Sequence, residues 1–260
     1  MSSKRSILFV ATGQAYVEEA AENALASRIH TCGISIILVT DLVEYALSLG
    51  IFDLVLKHPD PHFTYRDKIL PLLTLPTKYT LFLDSDAFLT SPVDELFNCL
   101  GRSHFAASHA PVRLPDGWGD ELVPRPFPEF NSGVLLMRRS RLQRLLVRRW
   151  LQIYDDVLDQ YGQQWDQASL RSAIWKAIQS HGLRITVLPP EANLRTTKPW
   201  IVGKGLPVFV IHGRVPPKER SSFETYLNSH INTFRDWQSW LELHPHSLIR
   251  PQLPPYPGTF

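Results

Sequence analysis

The chain has 260 residues, of which 44% are apolar and 20% are charged. These proportions exclude disordered, collagen-like and disulfide-scaffold proteins, and the length predicts one large folded domain or two small ones. The 27 basic side chains nearly balance the 25 acidic ones, and a formal charge of +2 excludes an extended surface for nucleic acid, so any basic site is local.

The first third of the chain alternates between short β-rich runs and helical patterns. Strands are predicted at residues 6–11, 34–40, 52–56 and 79–83, and helices at residues 17–29, 42–49 and 66–73. Strands that alternate with helices form parallel sheets through right-handed crossovers, with helices on both faces. The sequence therefore predicts an α/β protein with a mostly parallel, doubly wound sheet in three layers. Ligands of such sheets bind beyond the carboxyl ends of the strands.

A proline-rich segment, residues 110–130, contains Gly117, Trp118 and Gly119 and predicts an irregular loop over the sheet. The following residues, 140–161, repeat apolar side chains at helical spacing and predict a long amphipathic helix. On that helix three arginines fall opposite the apolar side, namely Arg141, Arg144 and Arg148. We interpret them as a solvated face, with contact to an anionic lipid or polysaccharide as the alternative.

The rest of the chain predicts a helix at residues 167–180 and strands at residues 184–188 and 208–211. The last segment, residues 251–260, has four prolines and predicts an extended tail, so residues 1–250 are expected to form a single domain.

Two cysteines, Cys32 and Cys99, have no metal-ligand spacing and are expected to be buried thiols in a reducing cytosol. The apolar runs are too short to span a membrane, and the opening has no small-residue cleavage site. We therefore predict a cytoplasmic protein.

An apolar strand stops at Asp84-Ser85-Asp86. In an extended backbone, residues two apart point the same way, so both carboxylates can face one point beyond the strand. Such hard oxygen ligands suit Mg²⁺ or Mn²⁺, which complete their coordination with substrate phosphates and water. The alternative is that the two acids cap the turn before Ser91-Pro92.

A second candidate ligand, His212, follows the predicted strand that ends at Ile211. A histidine at a strand end can be an ordinary turn residue, but with an aspartate pair it becomes a third ligand. An imidazole nitrogen beside two carboxylates shifts the preference from Mg²⁺ towards Mn²⁺.

Several segments occur in the order found in one family of enzymes. They are Ala11-Thr12 with Tyr16, Asp84-Ser85-Asp86, Phe130-Asn131-Ser132-Gly133-Val134, Trp165-Asp166-Gln167, Leu188-Pro189-Pro190-Glu191-Ala192-Asn193 and His212-Gly213. With this ordered set the chain resembles the GT-A fold glycosyltransferases and is similar to the family-8 nucleotide-sugar transferases. The resemblance covers most of the chain and implies a Rossmann-like sheet of the GT-A type.

The resemblance also implies roles for individual residues. The expected nucleotide-sugar-binding residues are Thr12, Tyr16, Lys68, Asp84, Ser85, Asn131, Ser132 and Gly133. The expected metal ligands are Asp84, Asp86 and His212, and the expected catalytic residues at the donor sugar are Asp166 and Gln167. Three alternatives stay open: helix packing for Tyr16, a solvated helix face for Lys68, and an N-cap for Asp166.

The implied reaction moves a hexose from a nucleotide-diphosphate sugar to a glycan, lipid or protein acceptor, with retention of the anomeric configuration. The divalent metal, Mn²⁺ or Mg²⁺, would act as a Lewis acid, assisted by Lys68 and by Arg214 or Lys218. No residue is assigned as the base, since in this family the leaving diphosphate can take the proton of the acceptor.

The chain departs from the family pattern at two places. The family continues the metal histidine into Lys-Pro-Trp, whereas here Lys198-Pro199-Trp200 precedes His212 and Pro216-Pro217-Lys218 follows it. The opening has Thr12-Gly13-Gln14, without the acidic residue often found beside the base. The phosphate contacts after His212 and the nucleotide preference are therefore open.

Two other functions remain as alternatives. A phosphohydrolase of the haloacid dehalogenase type also uses an apolar strand that ends in Asp-x-Asp, with the first aspartate as nucleophile. A catalytically silent protein that only binds nucleotide sugars is the other, because a fold does not determine a function.

Overall fold

A computed structural model describes residues 4–110, 118–197 and 203–249 of the chain. Within them the strands are β1 (Arg5–Val10), β2 (Ser35–Thr40), β3 (Leu54–Lys57), β4 (Tyr79–Leu83), β5 (Ala87–Leu89), β6 (Phe105–His109), β7 (Phe130–Arg138), β8 (Ile185–Leu188), β9 (Leu194–Arg195) and β10 (Val210–His212). The α-helices of the same residues are α1 (Gln14–Ser27), α2 (Val43–Ser48), α3 (Arg66–Ile69), α4 (Asp94–Cys99), α5 (Arg141–Tyr161), α6 (Gln167–His181), α7 (Pro217–Ser229) and α8 (Gln238–Leu243). The predicted tail, residues 251–260, lies outside the described residues, as do residues 111–117 of the predicted loop and residues 198–200.

Seven strands form one sheet in the order β3-β2-β1-β4-β7-β6-β8. The pairs β1–β2, β1–β4, β2–β3 and β6–β8 are parallel. In contrast, β7 is antiparallel to both of its neighbours, β4 and β6, because the loop after β6 returns the chain at the edge where β6 ends. The predicted mostly parallel α/β sheet is confirmed, with β7 as its reversed strand.

Helices cover both faces of this sheet. Successive side chains of a strand point to opposite faces, and in β1 the residues Ile7 and Phe9 pack with α1, α2 and α4 while Leu8 and Val10 pack with α5 and α6. Strands that are buried on both faces read as continuous apolar runs, which is why β1, β2 and β4 were predictable. The three predicted layers are confirmed.

Three strands form a second, small sheet in the order β5-β10-β9. Strand β10 is antiparallel to β5 and parallel to β9. A third apolar cluster joins this sheet to the C-terminal helices and includes Phe88, Ile211, Phe223, Trp237 and Trp240. Because β5 follows β4 closely in the chain, the small sheet holds a late segment of the chain against the end of β4.

Two details differ from the sequence-based expectations. The predicted helix over residues 66–73 ends as an α-helix at Ile69 and continues as a 3₁₀ turn, since Pro71 has no amide hydrogen to donate. The thiols of Cys32 and Cys99 are exposed and free, because one lies in the turn before β2 and the other on the outer side of α4. None of the described helices is long and apolar enough to cross a membrane.

Candidate active site

The loops after β1 and β4 and the first residues of β7 meet at one edge of the large sheet. Strands β1 and β4 end there because they are parallel, and β7 begins there because it runs the other way. The ladder continues past β4, since the Asp84 N–H donates to the Gly133 carbonyl at 2.8 Å. Ligands of doubly wound sheets bind at this edge, and most of the predicted site residues lie on it.

Asp84 and Asp86 lie in a tight turn and not on the extended backbone that the sequence predicts. The Ala87 N–H donates to the Asp84 carbonyl at 3.0 Å and closes this turn. Among the described residues, the carboxylates contact Lys68 and His212, and neither accepts a backbone N–H. A role as turn caps, the alternative drawn from the sequence, is therefore not what the structure shows.

The small sheet brings His212 to the two carboxylates. In the β10–β5 register His212 is paired with Ala87, and the Gly213 N–H donates to the Asp86 carbonyl at 2.9 Å. The Nε2 atom of His212 lies 3.4 Å from Asp86 Oδ1 and 3.7 Å from Asp84 Oδ2. One ligand atom from each of the three residues lies within 4.8 Å of the other two, so the three form a candidate metal site.

Hydrogen bonds hold the His212 ring in the orientation that a metal ligand needs. Its Nδ1 lies 2.9 Å from Asn193 Oδ1, and the Asn193 amide donates to Asn131 Oδ1 at 2.8 Å. Because the Asn193 oxygen is an acceptor, Nδ1 carries a hydrogen, and Nε2 is the ring nitrogen on the side of the carboxylates that can offer a lone pair to a metal. Two carboxylates and an imidazole nitrogen form a donor set that suits Mn²⁺.

Gly133 allows these ligands to approach each other because it has no side chain. A Cβ at this position would lie 2.6 Å from Asp84 Oδ2 and 2.7 Å from His212 Nε2. Both distances are much shorter than a van der Waals contact, so any residue larger than glycine would displace a ligand. The space that Gly133 leaves is part of the fit between these residues and a metal ion.

Lys68 is buried among acceptors beside the candidate metal site. Its Nζ lies 3.2 Å from both Asp84 Oδ2 and Asp166 Oδ2, and it donates to Ser132 Oγ at 3.0 Å. Burial lowers the pKa of Lys68, but the carboxylates of Asp166 and Asp84 outweigh that effect and raise this pKa above its ordinary value. Lys68 is therefore a charged residue of the cleft and not part of a solvated helix face.

Asp166 occupies the N-cap position of α6, but its side chain makes no capping hydrogen bond. One carboxylate oxygen accepts from Ser132 Oγ at 3.0 Å, and the other faces Lys68. The side chain thus turns away from its own helix and into the cleft. Of the two roles that the sequence left open, this geometry favours a role in the cleft over a role as N-cap.

A row of polar side chains links Gln167 to His212. The Gln167 amide donates to Glu129 Oε1 at 3.0 Å and its oxygen accepts from Asn131 Nδ2 at 2.6 Å. Asn131 in turn accepts from Asn193, which contacts the imidazole. The predicted catalytic residue Gln167 therefore stands in the wall of the cleft with its amide engaged on both sides.

The pKa values of the two aspartates shift in opposite directions. Burial raises the pKa of Asp84, and Lys68 and His212 oppose this effect without cancelling it. Burial also raises the pKa of Asp86, but His212 and Arg214 outweigh it and lower that pKa below its ordinary value. The two carboxylates compete for compensation by nearby positive charge, and a divalent cation is the group that would compensate both.

Three predicted donor-binding residues lie around the rim of this cleft. The Thr12 hydroxyl donates to Asp67 Oδ2 at 2.7 Å, and the Ser85 hydroxyl donates to Glu19 Oε2 at 2.7 Å. Both hydroxyls are engaged by the protein itself. Tyr16 is 53% exposed, so its ring is available to a ligand and is not packed inside the helix layer.

Arg195 is a residue of this edge that the sequence did not single out. It lies on the two-residue strand β9, where the register pairs it with His212. Only the pairing of β9 with β10 reveals it, and no motif in the sequence marks that pairing.

No protein-family model matches the sequence, and no curated protein matches it. Solved structures do match. Mouse xyloside xylosyltransferase 1 is 17% identical with a TM-score of 0.52, over 81% of this chain and 97% of that one. The glycosyltransferase GlyE of Streptococcus pneumoniae TIGR4 is 21% identical with a TM-score of 0.55, over 81% of this chain and 54% of that one. The galactosyltransferase LgtC, solved with donor and acceptor sugar analogs, is 15% identical with a TM-score of 0.54, over 95% of this chain and 98% of that one.

These neighbours are glycosyltransferases, and at such low identity the similarity concerns the fold. The chain spans about half the length of GlyE and nearly all of the other two proteins. The GT-A fold that the sequence motifs predict is confirmed.

Proposed function

We propose that this protein is a metal-dependent glycosyltransferase that moves a hexose from a nucleotide-diphosphate sugar to a glycan, lipid or protein acceptor. The observation that carries the proposal is the convergence of Asp84, Asp86 and His212 within 4.8 Å at the ligand-binding edge of a GT-A sheet. The glycosyltransferase neighbours support it through the fold.

We assign Mn²⁺, with Mg²⁺ as the substitute, to Asp84, Asp86 and His212. When bound, the cation supplies a Lewis acid for the diphosphate of the donor. The protein contributes the ligand orientation, because Asn193 fixes the His212 ring and Gly133 leaves it room.

In the reaction, the bond from the anomeric carbon to the phosphate oxygen breaks, and its electron pair stays on the leaving nucleoside diphosphate. A new bond forms from the same carbon to the acceptor oxygen, whose proton passes to the diphosphate, with retention of configuration. Lys68 supports the leaving group by charge, since it is held ionised between Asp84 and Asp166. Asp166 is our candidate for stabilising positive charge on the sugar, with Gln167 beside it.

The donor would be held along the rim and floor of the same cleft. We assign the base to the exposed ring of Tyr16 and to the loop of Thr12, and the sugar to Asn131, Ser132 and Gly133. Ser85 acts through its backbone, because its hydroxyl is bound to Glu19.

The arginine face of α5 is our candidate for contact with an anionic membrane. Arg141, Arg144 and Arg148 are exposed, and none of them forms an ion pair with a described residue. The first turn of α5 has no acidic residue, so two of these arginines stand at the end of the helix where positive charge is unfavourable. An anionic partner would remove that penalty.

We place the protein in the cytoplasm, where its two exposed thiols would stay reduced.

The phosphohydrolase alternative is less well supported, because Asp84 follows the fourth strand, whereas that type of enzyme carries its nucleophilic aspartate at the end of the first strand. The other alternative, a catalytically silent protein that binds nucleotide sugars, would bind the same donor in the same cleft but would not transfer its sugar.

The test measures thermal unfolding and nucleoside diphosphate release with Mn²⁺ and a panel of nucleotide sugars. A true donor should raise the melting temperature of the wild type by linkage and release its diphosphate. Asp86→Ala and His212→Ala should lose both effects while staying folded, and Asp156→Ala, an exposed carboxylate on α5, should keep them. Full activity of either site variant in the presence of a chelator would overturn the proposal. A melting shift without turnover would favour the binding protein, and phosphate release from p-nitrophenyl phosphate would favour the phosphohydrolase.

A further inference from the structure

Arg195 and His212 are neighbours across two parallel strands. The β9–β10 register pairs Arg195 with His212 and Leu194 with Ile211. Residues that are opposite each other in a ladder point to the same face of the sheet. Arg195 therefore shares the face on which His212 meets Asp84 and Asp86.

Arg195 is half-buried among negative charges but is bound to none of them. It interacts electrostatically with Asp86, Asp84 and Asp166, in that order of strength. Yet within the described part of the chain it forms no side-chain hydrogen bond and no ion pair within 4.0 Å, whereas Lys68 contacts two carboxylates and a hydroxyl. Arg195 is only partly buried and is not among the buried polar atoms that lack a partner, so its guanidinium is accessible and able to bind a ligand.

The other basic side chains near His212 are less suited to hold a ligand in the cleft. The Arg214 side chain is 72% exposed and its Nε donates to Glu19 at 2.8 Å. Lys218 is exposed on the first turn of α7. Of the described basic residues near His212, Arg195 is thus the one on the cleft side of the small sheet whose guanidinium no other described group binds.

We propose that Arg195 binds the diphosphate of the donor, an inference that rests on the proposed function of the cleft. A cation held by Asp84, Asp86 and His212 would bind the diphosphate on the face of the small sheet that Arg195 shares with His212. The planar guanidinium can donate two parallel N–H bonds to phosphate oxygens, which a lysine cannot do. As the sugar leaves, negative charge grows on these oxygens, so Arg195 stabilises the leaving group more than the intact donor.

The test compares Arg195→Met and Arg195→Lys with the wild type by calorimetric titration of inorganic pyrophosphate in the presence of Mn²⁺, and of Mn²⁺ alone. Arg184→Gln is the matched control, because Arg184 is exposed at the opposite end of the large sheet. We expect Arg195→Met to bind pyrophosphate at least about tenfold more weakly and Arg195→Lys to be intermediate. Arg195→Lys should bind Mn²⁺ alone as tightly as the wild type, because it keeps the positive charge. Arg195→Met should bind Mn²⁺ alone at least as tightly, because it removes a nearby positive charge.

Equal pyrophosphate affinity of Arg195→Met and the wild type would overturn the assignment, and so would a parallel loss of Mn²⁺ binding, which would show a role in the metal site instead. Should Arg195→Met fail to fold, Arg195→Lys alone decides, because it keeps the charge and loses the paired donors. A wild type that binds neither Mn²⁺ nor pyrophosphate would overturn the proposed function together with this inference, whereas failure of the variants alone affects only Arg195.

Discussion

A Cβ atom on Gly133 would lie 2.1 Å from Cε1 of the His212 ring. This closeness makes Gly133→Ala a test of the metal site that keeps every ligand residue and changes only the space between them. We expect Mn²⁺ affinity to fall by roughly 10–100-fold, the range seen when ligand orientation is disturbed, because His212 or Asp84 must move. Titration with Mn²⁺ measures it. Gly119→Ala is the control, since a Cβ there meets nothing within 4 Å.

Asn193→Ala should release the His212 ring without removing a ligand. The Nδ1 hydrogen would lose its acceptor, and the ring would sample both tautomers. We expect Mn²⁺ to bind roughly 10–100-fold more weakly, and ¹⁵N chemical shifts of the imidazole should report the mixed tautomers. An unchanged tautomer with unchanged affinity would mean that Asn193 does not position the histidine.

Lys68→Met should destabilise the metal-free protein, because Asp84 and Asp166 would lose their shared cation. Breaking a buried ion pair from one side typically costs about 3–5 kcal/mol. Urea unfolding measures the change. The double variant Lys68→Met with Asp166→Asn should recover part of the loss, since one of the two stranded charges is then removed. A double variant as unstable as the sum of the two single variants would contradict the coupling.

Asp120 should anchor the loop before β7 in a pH-dependent manner. Burial raises its pKa, but Lys176, Ser172 and the Leu122 amide outweigh that effect and lower the pKa below its ordinary value of 3.8. The carboxylate therefore adds stability above pH 3.8, and this contribution is lost as the pH falls through the lower, folded-state pKa.

In unfolding experiments, the difference in the free energy of unfolding between the wild type and Asp120→Asn should thus be constant near neutral pH. It should shrink towards strongly acidic pH. A difference that stays constant over the whole acidic range would show that the charge of Asp120 is irrelevant.

Changing Arg141, Arg144 and Arg148 to Glu should abolish flotation with anionic vesicles. Wild-type binding should be absent on neutral vesicles and weaken with salt, as expected for surface electrostatics. The variant should not unfold, since glutamates at positions 141 and 144, near the N-terminus of α5, stabilise the helix by about 0.3–1 kcal/mol each and position 148 is exposed. Equal flotation of both proteins would remove the membrane from the proposal.

The sequence predicted β1, β2 and β4, which are continuous apolar runs, and missed β6 and β7, although both of these strands are also buried. Strand β6 has the sequence FAASH, with small and polar residues, and in β7 the turn formers Asn131-Ser132-Gly133 precede the apolar residues 134–137. Pairing with β4 and β6 holds these residues in a strand, and the ladder continues past β4, where the Asp84 N–H donates to the Gly133 carbonyl. Long-range strand pairing therefore overrides the local turn propensity of these residues.

The candidate site was predictable where a motif ends a strand and unpredictable where two distant segments meet. Asp84 and Asp86 were found from the strand that precedes them, although the backbone between them is a turn. Arg195 was not, because its place depends on β9, a strand of two residues whose register is set by β10. Single-sequence patterns do not encode such a pairing.

His212 and Arg195 lie on the small sheet, whereas Asp84 follows β4 of the large sheet and Lys68 lies on α3, so the cleft forms where these parts of the molecule meet. The position of His212 therefore depends on the apolar cluster around Trp240, which lies far along the chain and packs against Ile211. Substitutions in that cluster should weaken substrate binding before they unfold the protein.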